Sequence, residues 1–314
     1  MIRLIFQEGS ELEPDVREVL EAASGNGLVS LMTSGTTGAP KTIPRDLTSA
    51  LEKKKPGKES EKWLLTYHPR RWAGISVILH VLKAGATLCV PRTLAFTDIV
   101  RAGIDHRITH LSLTPSMFRN LLMNDPSLRL KEIPVEQLTF GGEAATQSVL
   151  DSARRIWPNA RVSHVYASTE TGDICSVSDG LEGIPARKLE RFNLSDEGEL
   201  FVEGHATGDI WERRGDRFYF VGRVQEIINV GGNKVSPLVV EEFAIRCGVR
   251  HARAFAIPSG LMGSLVGLEY VGDIETKELV RRFREGLPKF MCPAQVTRLE
   301  RIELSDAGKT KRLP

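Results

Sequence analysis

The sequence lacks any run of about twenty uncharged apolar residues, so no transmembrane helix is written in it. Its start, Met1-Ile2-Arg3-Leu4-Ile5-Phe6-Gln7-Glu8, turns acidic before an apolar stretch long enough for a signal peptide develops, and the expectation is a cytoplasmic protein. Net charge is nearly absent as well. The 42 Lys and Arg against 40 Asp and Glu leave a formal +2, which argues against the concentrated basic field that nucleic-acid backbone binding relies on. Cysteine is scarce: Cys89, Cys175, Cys247 and Cys292 lie far apart and form no Cys-x-x-Cys pair with nearby His ligands, so they read as packing residues. Internal repeats and low-complexity tracts are absent. What remains is 314 residues, 41% hydrophobic and 26% charged, enough for one large core or two domains and unlike a disordered or fibrous chain.

The order of apolar patterns follows β-α-β grammar. Gly27 to Thr33 is a short apolar run ending in small polar residues, which reads as a buried strand entering a loop. Glu52 to Lys62 is charged enough to be a solvated loop or helix face, and Trp63 to Tyr67 reads as a strand. From Trp72 to Lys83, Ile75, Ile78, Leu79 and Leu82 recur at helical spacing, and Gly85 leads into the strand Thr87 to Val90. Helices follow at Thr97 to His106, Pro115 to Met123 and Thr146 to Trp157, with strands at Gln137 to Phe140 and Arg161 to Tyr166. This alternation predicts an α/β fold with a mostly parallel sheet, flanking helices and a ligand at the carboxyl ends of the strands. Between Gly198 and Val221 the texture changes to short strands and turns. A small α+β unit follows, with a Gly231-Gly232 turn, helices at Pro237 to Cys247 and Glu275 to Gly286, and strands near Ala254, Val266 and Val296. The domain boundary is placed at about Val224, dividing 1–224 from 225–314.

The chemistry is concentrated in short motifs. Thr33-Ser34-Gly35-Thr36-Thr37-Gly38-Ala39-Pro40-Lys41 supplies hydroxyls, glycines and a lysine directly after a strand, and can wrap a polyphosphate with backbone N–H groups, hydroxyls and one cation. Its lysine follows proline, so it does not fit the Gly-x-x-x-x-Gly-Lys-Ser/Thr loop. A flexible Ser/Thr/Gly connector is the plain alternative.

These nine residues resemble the phosphate loop of the acyl-CoA synthetase, peptide-synthetase adenylation domain and luciferase superfamily. Further motifs follow in that family's order. Tyr166-Ala167-Ser168-Thr169-Glu170-Thr171 resembles its Tyr-Gly-x-Thr-Glu motif, which implies Tyr166 near adenine, Thr169 at the α-phosphate and Glu170 on Mg²⁺, a hard carboxylate for a hard cation. Ala167 stands where the family usually has glycine. Gly141-Gly142-Glu143 resembles the adenine-contacting turn. Thr207-Gly208-Asp209 resembles the ribose-binding motif, with Asp209 accepting both hydroxyls, and Gly222-Arg223 the pair whose guanidinium reaches ribose or phosphate. Gly231-Gly232 resembles the glycine loop lining the thiol tunnel. Asp306-Ala307-Gly308-Lys309 resembles the terminal Gly-Lys motif, in which Lys309 would bridge carboxylate and α-phosphate.

The resemblance runs from about Leu28 to Arg312 and implies an ATP- and Mg²⁺-dependent ligase that forms an acyl-AMP and passes the acyl group to coenzyme A or a carrier-protein phosphopantetheine. It also implies rotation of the C-terminal unit between the two steps, with Gln225 at the hinge where the family commonly has Asp. Tyr67 to Ile75 stands where the family's acyl pocket begins. It has no aspartate for an α-ammonium group, while His68 and Trp72, with His164 farther on, suit an aryl or fatty acid. Arg70 or Arg71 would pair a second carboxylate or a phosphopantetheine phosphate, or simply face solvent. Only about thirty residues precede the phosphate loop, where family members usually carry a whole subdomain. The sheet would then expose apolar surface, which suggests a homodimer. Two other readings stay open: an acyl-AMP ligase with a non-thiol acceptor, and a truncated, non-catalytic nucleotide-binding protein.

Overall fold

A computed structural model describes residues 2–25, 27–33, 41–168, 172–190, 192–305 and 308–310, without the side chains of 30–33, 41–43, 168 and 173. The chain divides into two compact units, Met1–Leu181 with Asp306–Lys309, and Glu182–Ser305 with Thr310–Pro314. Val224, where the sequence analysis places the boundary, falls inside the second unit.

The first unit begins with β1 (Arg3–Phe6) and α1 (Glu13–Ser24), then β2 (Leu28–Thr33), β3 (Lys41–Asp46) and α2 (Leu47–Glu52). Next come β4 (Lys62–Leu64), α3 (Trp72–Ala84), β5 (Thr87–Val90), α4 (Phe96–Asp105), β6 (His110–Leu113) and α5 (Pro115–Met123). It ends with β7 (Gln137–Gly141), α6 (Gln147–Ile156), β8 (Arg161–Ser168) and β9 (Gly172–Val177). Among the described residues the main sheet has seven strands in the order β1-β5-β4-β6-β7-β8-β9, all parallel except the edge strand β9.

The helices fall where the apolar spacing puts them. Helix α3 buries Ile75, Ile78 and Leu79 and stops at Gly85, whose φ of +64° lets its N–H return to the Val81 and Leu82 carbonyls. Every residue of β5 is buried, as a parallel strand covered on both faces requires. From β4 the chain passes through α3 to β5 on one side, then α4 carries it to β6 on the other. Such a reversal opens a crevice at the carboxyl ends of the two strands that flank it, here β4 and β6.

Two expectations need correction. The run before the phosphate loop is not a buried strand of the main sheet: β2 pairs antiparallel with β3 in a separate hairpin, and Leu28 is 73% exposed. The charged stretch after it is solvated for the most part, but Lys54 is buried and donates to Ser76 Oγ (2.6 Å). Beyond those corrections, β1 and α1 were not anticipated. Strand β1 pairs with β5 at the sheet's edge, and Val16, Val19 and Ala23 give α1 a buried face. Strand β1 is thus the edge strand of the main sheet on that side. Large apolar residues with substantial exposure are scattered along the chain at Leu28, Leu128, Leu181, Val224, Leu261 and Met262.

The second unit opens with β10 (Ile184–Pro185), α7 (Ala186–Leu189), β11 (Asn193–Leu194), β12 (Glu199–Val202), β13 (His205–Arg214) and β14 (Arg217–Arg223). These strands form an antiparallel sheet ordered β10-β14-β13-β12-β11. It continues with β15 (Ile228–Val230), β16 (Asn233–Val235), α8 (Pro237–Arg246), β17 (His251–Ser259), β18 (Gly263–Val271), α9 (Thr276–Gly286) and β19 (Gln295–Arg298). Here the sheet order is β16-β15-β18-β17, with β19 parallel to β18, over a core that includes Val240, Leu268, Tyr270, Leu279 and Phe283.

Candidate active site

The carboxyl ends of β4, β6 and β7 bring the best-defined cluster together. Strand β6 ends at Leu113, and Thr114 caps α5 by accepting the Met117 N–H at 3.0 Å. Pro115 follows at the first helical position, where a missing N–H costs nothing. Strand β7 ends in the Gly141-Gly142-Glu143 turn, with Gly142 at φ +80°. The Glu143 carboxylate accepts from Ser116 N (2.9 Å) and Ser116 Oγ (3.0 Å), a favourable place for a negative charge at a helix N-terminus. Glu143 thereby locks the glycine turn to α5, a role the sequence did not suggest. Burial pushes the Tyr67 phenol far above its ordinary range; a hydrogen bond with Ser112 works against this and the nearby Glu143 carboxylate adds to it. Tyr67 is therefore a neutral hydrogen-bonding group at working pH.

Lys309 belongs to the same unit. A Cβ placed on Gly142 would lie 3.2 Å from Lys309 Cε, 3.5 Å from Thr114 Cγ2 and 3.9 Å from Lys309 Nζ, so the lysine lies along the glycine turn and uses the room that the missing side chain leaves. Thr114 Oγ1 donates to the carbonyl of Gly308. Thr114, Ser116 and Met117 are members of this cluster that sequence reasoning missed, while Tyr67 was read only as the start of the acyl-pocket stretch. The signal available was Thr-Pro directly after a strand of a parallel sheet, an N-cap and first-turn pair at the edge where ligands gather.

The phosphate loop is described at its two ends. Thr33 and Lys41 are paired residues of the β2–β3 hairpin, which pins the ends of the loop together. Ser34, Gly35, Thr36, Thr37 and Gly38 lie outside the described residues, as do Thr169 and Glu170. Tyr166 sits on β8, half-buried, at a bulge between Tyr166 and Ala167. Among the described residues the positive-φ residues other than glycine are Arg107, Leu128 and Glu203, so Ala167 needs no glycine-only conformation. His164, two residues before Tyr166, is buried with Nε2 3.2 Å from the Leu181 carbonyl.

Around Trp72 the surroundings are cationic. The Arg45 guanidinium lies 4.9 Å from the ring centroid and Lys54 Nζ 5.8 Å. The indole N–H is buried with no protein partner among the described residues, and Gly172 lies against the ring edge. His68 is turned to α1, with Nε2 3.6 Å from Asp15. Arg70 is held there too, by Asp15 (2.8 Å) and Glu18 (2.5 Å). Arg45 and Lys54 thus lie over the Trp72 ring, while Arg70 anchors α1. The Cys89 thiol is buried and pushed up to about 12 by that burial, which makes it an inert packing group.

In the second unit, Asp209 and Arg223 face each other across β13 and β14, with Arg223 Nε 3.2 Å from Asp209 Oδ1. Asp209 is buried and Arg223 is 41% exposed, so the carboxylate is fixed and the guanidinium has a wet end. Gly231 and Gly232, at φ +55° and +85°, form the two-residue turn between β15 and β16. Gln225 is exposed in the turn after β14, where Glu226 N donates to Arg223 O at 2.9 Å.

The sequence pattern of the AMP-binding enzyme family matches residues 6–214. A 2-succinylbenzoate–CoA ligase of Staphylococcus epidermidis is 24% identical over 331 residues, covering 90% of this chain and 68% of that protein. A medium/long-chain fatty acid–acyl-carrier-protein ligase of Mycobacterium tuberculosis is 24% identical over 362 residues, covering 93% of this chain and 66% of that protein. In fold, an amide bond synthetase from Marinactinospora thermotolerans superposes with a TM-score of 0.71 at 19% identity, over 91% of this chain and 68% of that one. The chain therefore spans about two thirds of the length of these relatives. With two thirds of its own length under the family pattern and the family's α/β architecture around the glycine turn, the chain belongs to the AMP-binding enzymes.

Proposed function

We propose that this chain is an ATP-dependent acid–thiol ligase that adenylates a small carboxylic acid and transfers the acyl group to coenzyme A or a carrier-protein phosphopantetheine. The observation that carries the reading is Lys309 against the Gly142 turn, at the carboxyl edge of a parallel sheet. Ligases of both acceptor types are among the chain's relatives. No helix of the described residues is long and apolar enough to cross a membrane.

Two anions, a carboxylate and a triphosphate, must meet in line, and each cost has a residue. The loop from Thr33 to Lys41 would hold the β- and γ-phosphates and the departing pyrophosphate. Asp209, fixed by burial and by Arg223, suits the two ribose hydroxyls, since a carboxylate offers only acceptors. Tyr166 and the Gly141-Gly142 turn would bracket the adenine. Lys309 would bridge the carboxylate and the α-phosphate, and Thr169 would donate to the same phosphate. A single carboxylate, Glu170, fits Mg²⁺, which usually takes one or two protein carboxylates and fills its shell with water and phosphate oxygens. The metal would supply charge neutralisation at the phosphates.

For the acid, the stretch from Tyr67 to Ile75 offers Trp72 and no aspartate, which favours an aryl or fatty-type acid over an amino acid. In the second step Lys309 must leave so that the thiol can attack, and Gln225 is the proposed pivot, with Gly231 and Gly232 beside the thiol's path.

The test is Lys309→Ala, assayed separately in the two half-reactions. Acid-dependent pyrophosphate exchange into ATP, across aryl, fatty and dicarboxylic acids, should fall by on the order of a hundredfold or more, the scale for loss of one oriented charge in the transition state. Thioester formation from supplied acyl-AMP should stay near the native rate. Equal losses in both steps would remove Lys309 from its assigned role.

A further inference from the structure

Thr114 was absent from every motif read in the sequence, yet it touches each part of the cluster around Lys309. It is 1% exposed. Its Oγ1 accepts the Met117 N–H at 3.0 Å and so caps α5. The same oxygen lies in hydrogen-bond contact with the Gly308 carbonyl, and because a carbonyl can only accept, the hydroxyl proton must point at Gly308. Its methyl lies 3.5 Å from where a Cβ on Gly142 would stand. One side chain therefore joins the start of α5, the glycine turn after β7 and the residue immediately before Lys309.

The Gly308 side is fitted as closely. Gly308 has φ +71°, and a Cβ there would come within 2.4 Å of Met117 Sδ and 2.9 Å of Met117 Cγ. The turn can approach α5 only because residue 308 has no side chain and tolerates the left-handed region. The α5 end is fixed in turn, since Glu143 holds Ser116 by both its backbone and its hydroxyl. Lys309 thus projects from a seat whose three sides, Thr114, Met117 and the Gly142 turn, are all set by the parallel sheet.

We propose that Thr114 is the positioning residue for Lys309: its hydroxyl latches the Gly308 carbonyl to the N-terminus of α5 and so presents the lysine at the Gly142 turn for the adenylation step. This rests on the reading of Lys309 as the adenylation lysine. Thr114 touches no reacting atom. It acts by raising the fraction of molecules in which the Gly308-Lys309 segment is seated, and one hydrogen bond of ordinary strength changes such a fraction by roughly five- to tenfold.

Thr114→Val keeps the volume and removes both hydrogen bonds. Pyrophosphate exchange should fall by roughly five- to tenfold, while thioester formation from supplied acyl-AMP stays within about twofold of the native rate. Thr114→Ser should restore exchange. A readout independent of turnover is limited trypsin digestion of the ligand-free enzyme, with cleavage after Lys309 distinguished by mass from cleavage after Lys311 or Arg312. Thr114→Val should speed the cut after Lys309 and Thr114→Ser should not. Gly308→Ala attacks the same seat from the other side and leaves the cap of α5 intact, so it carries the test if Thr114→Val does not fold. It should give the same split between half-reactions and the same protease sensitivity. If Thr114→Val slows both half-reactions equally, or leaves the cut after Lys309 at the native rate, Thr114 is only a helix cap and the proposal falls. If Lys309→Ala itself leaves exchange intact, the assignment of Lys309 fails, and the protease result still reports whether Thr114 seats the turn.

Discussion

Gly142 and Gly232 share a left-handed backbone, with φ +80° and +85°, and each is the second glycine of a Gly-Gly pair in a short turn after a strand. Their surroundings differ. At Gly142 the space a side chain would fill is taken by Lys309 and Thr114, with Glu143 beside it tied to α5. At Gly232 an added Cβ would meet nothing within 4 Å, and its neighbour Gly231 faces only the flexible end of Met262. The first glycine is needed for what approaches it, the second for the hairpin it closes. A Gly-Gly pair in a sequence thus reports a turn, and only the packed neighbours tell whether the turn is also a site.

The largest effect that comparison predicts is at Gly142. An alanine there meets the left-handed strain, of order 1–3 kcal/mol, and must also displace Lys309 Cε from 3.2 Å. Because misplacing a catalytic group by about 1 Å can cost on the order of a hundredfold, Gly142→Ala should lower pyrophosphate exchange by ten- to a hundredfold while the protein stays folded. Exchange at the native rate would erase the distinction between the two turns.

Gly232→Ala carries similar backbone strain without a neighbour to displace. Its expected signature is a lower melting temperature, by a few degrees for about 1 kcal/mol in a unit of this size, with pyrophosphate exchange unchanged. If the turn lies beside the path of the thiol, as proposed, thioester formation from supplied acyl-AMP should also slow. A variant that loses stability alone would leave Gly231-Gly232 as a hairpin turn and nothing more.

The sequence was legible wherever one local pattern decides the outcome. Helix α3 was readable from its apolar spacing and from Gly85 after it, and α5 from Pro115 and the apolar residues behind it. Strand β5 was readable because burial on both faces leaves an unbroken apolar run. The errors lie where long-range pairing decides. Nothing within Leu28 to Thr33 tells that its partner is Lys41 to Asp46 rather than the main sheet. Nothing local to Arg3–Phe6 tells that β5 waits for it 84 positions on. The division into units is hidden for the same reason, since Asp306–Lys309 groups with residues far upstream. Motifs single out residues whose types are chemically demanding, such as Lys309 and Asp209, and what these do is a matter for the half-reaction assays. They pass over Thr114, which acquires its three neighbours only in the fold, none of them visible from an isolated Thr-Pro-Ser.

The smallest effect expected distinguishes the two units by their acid limits. In the first, His110 on β6 packs against Trp63 with ring centroids 4.9 Å apart, and burial lowers its pKa below the usual 6.5, more than Glu61 and Glu136 raise it. The unfolded chain then takes up that proton first as the pH falls. Stability from the neutral imidazole is complete above about 6.5 and is lost as the pH falls through the lower folded value. In the second unit, hydrogen bonds from Arg281 and Arg282 hold the Glu278 carboxyl at about 2, against 4.5 when free. Its contribution is complete above about 4.5 and fades only as the pH approaches 2, and because the pair is exposed it is small and screened by salt. Between pH 7 and pH 5, peptide-resolved hydrogen exchange should therefore show protection falling in the strands around β6 while α9 is unchanged. His110→Gln should flatten that slope in the first unit and leave the second as it was. A slope of the same size in His110→Gln would assign the acid sensitivity to another group and remove this difference between the units.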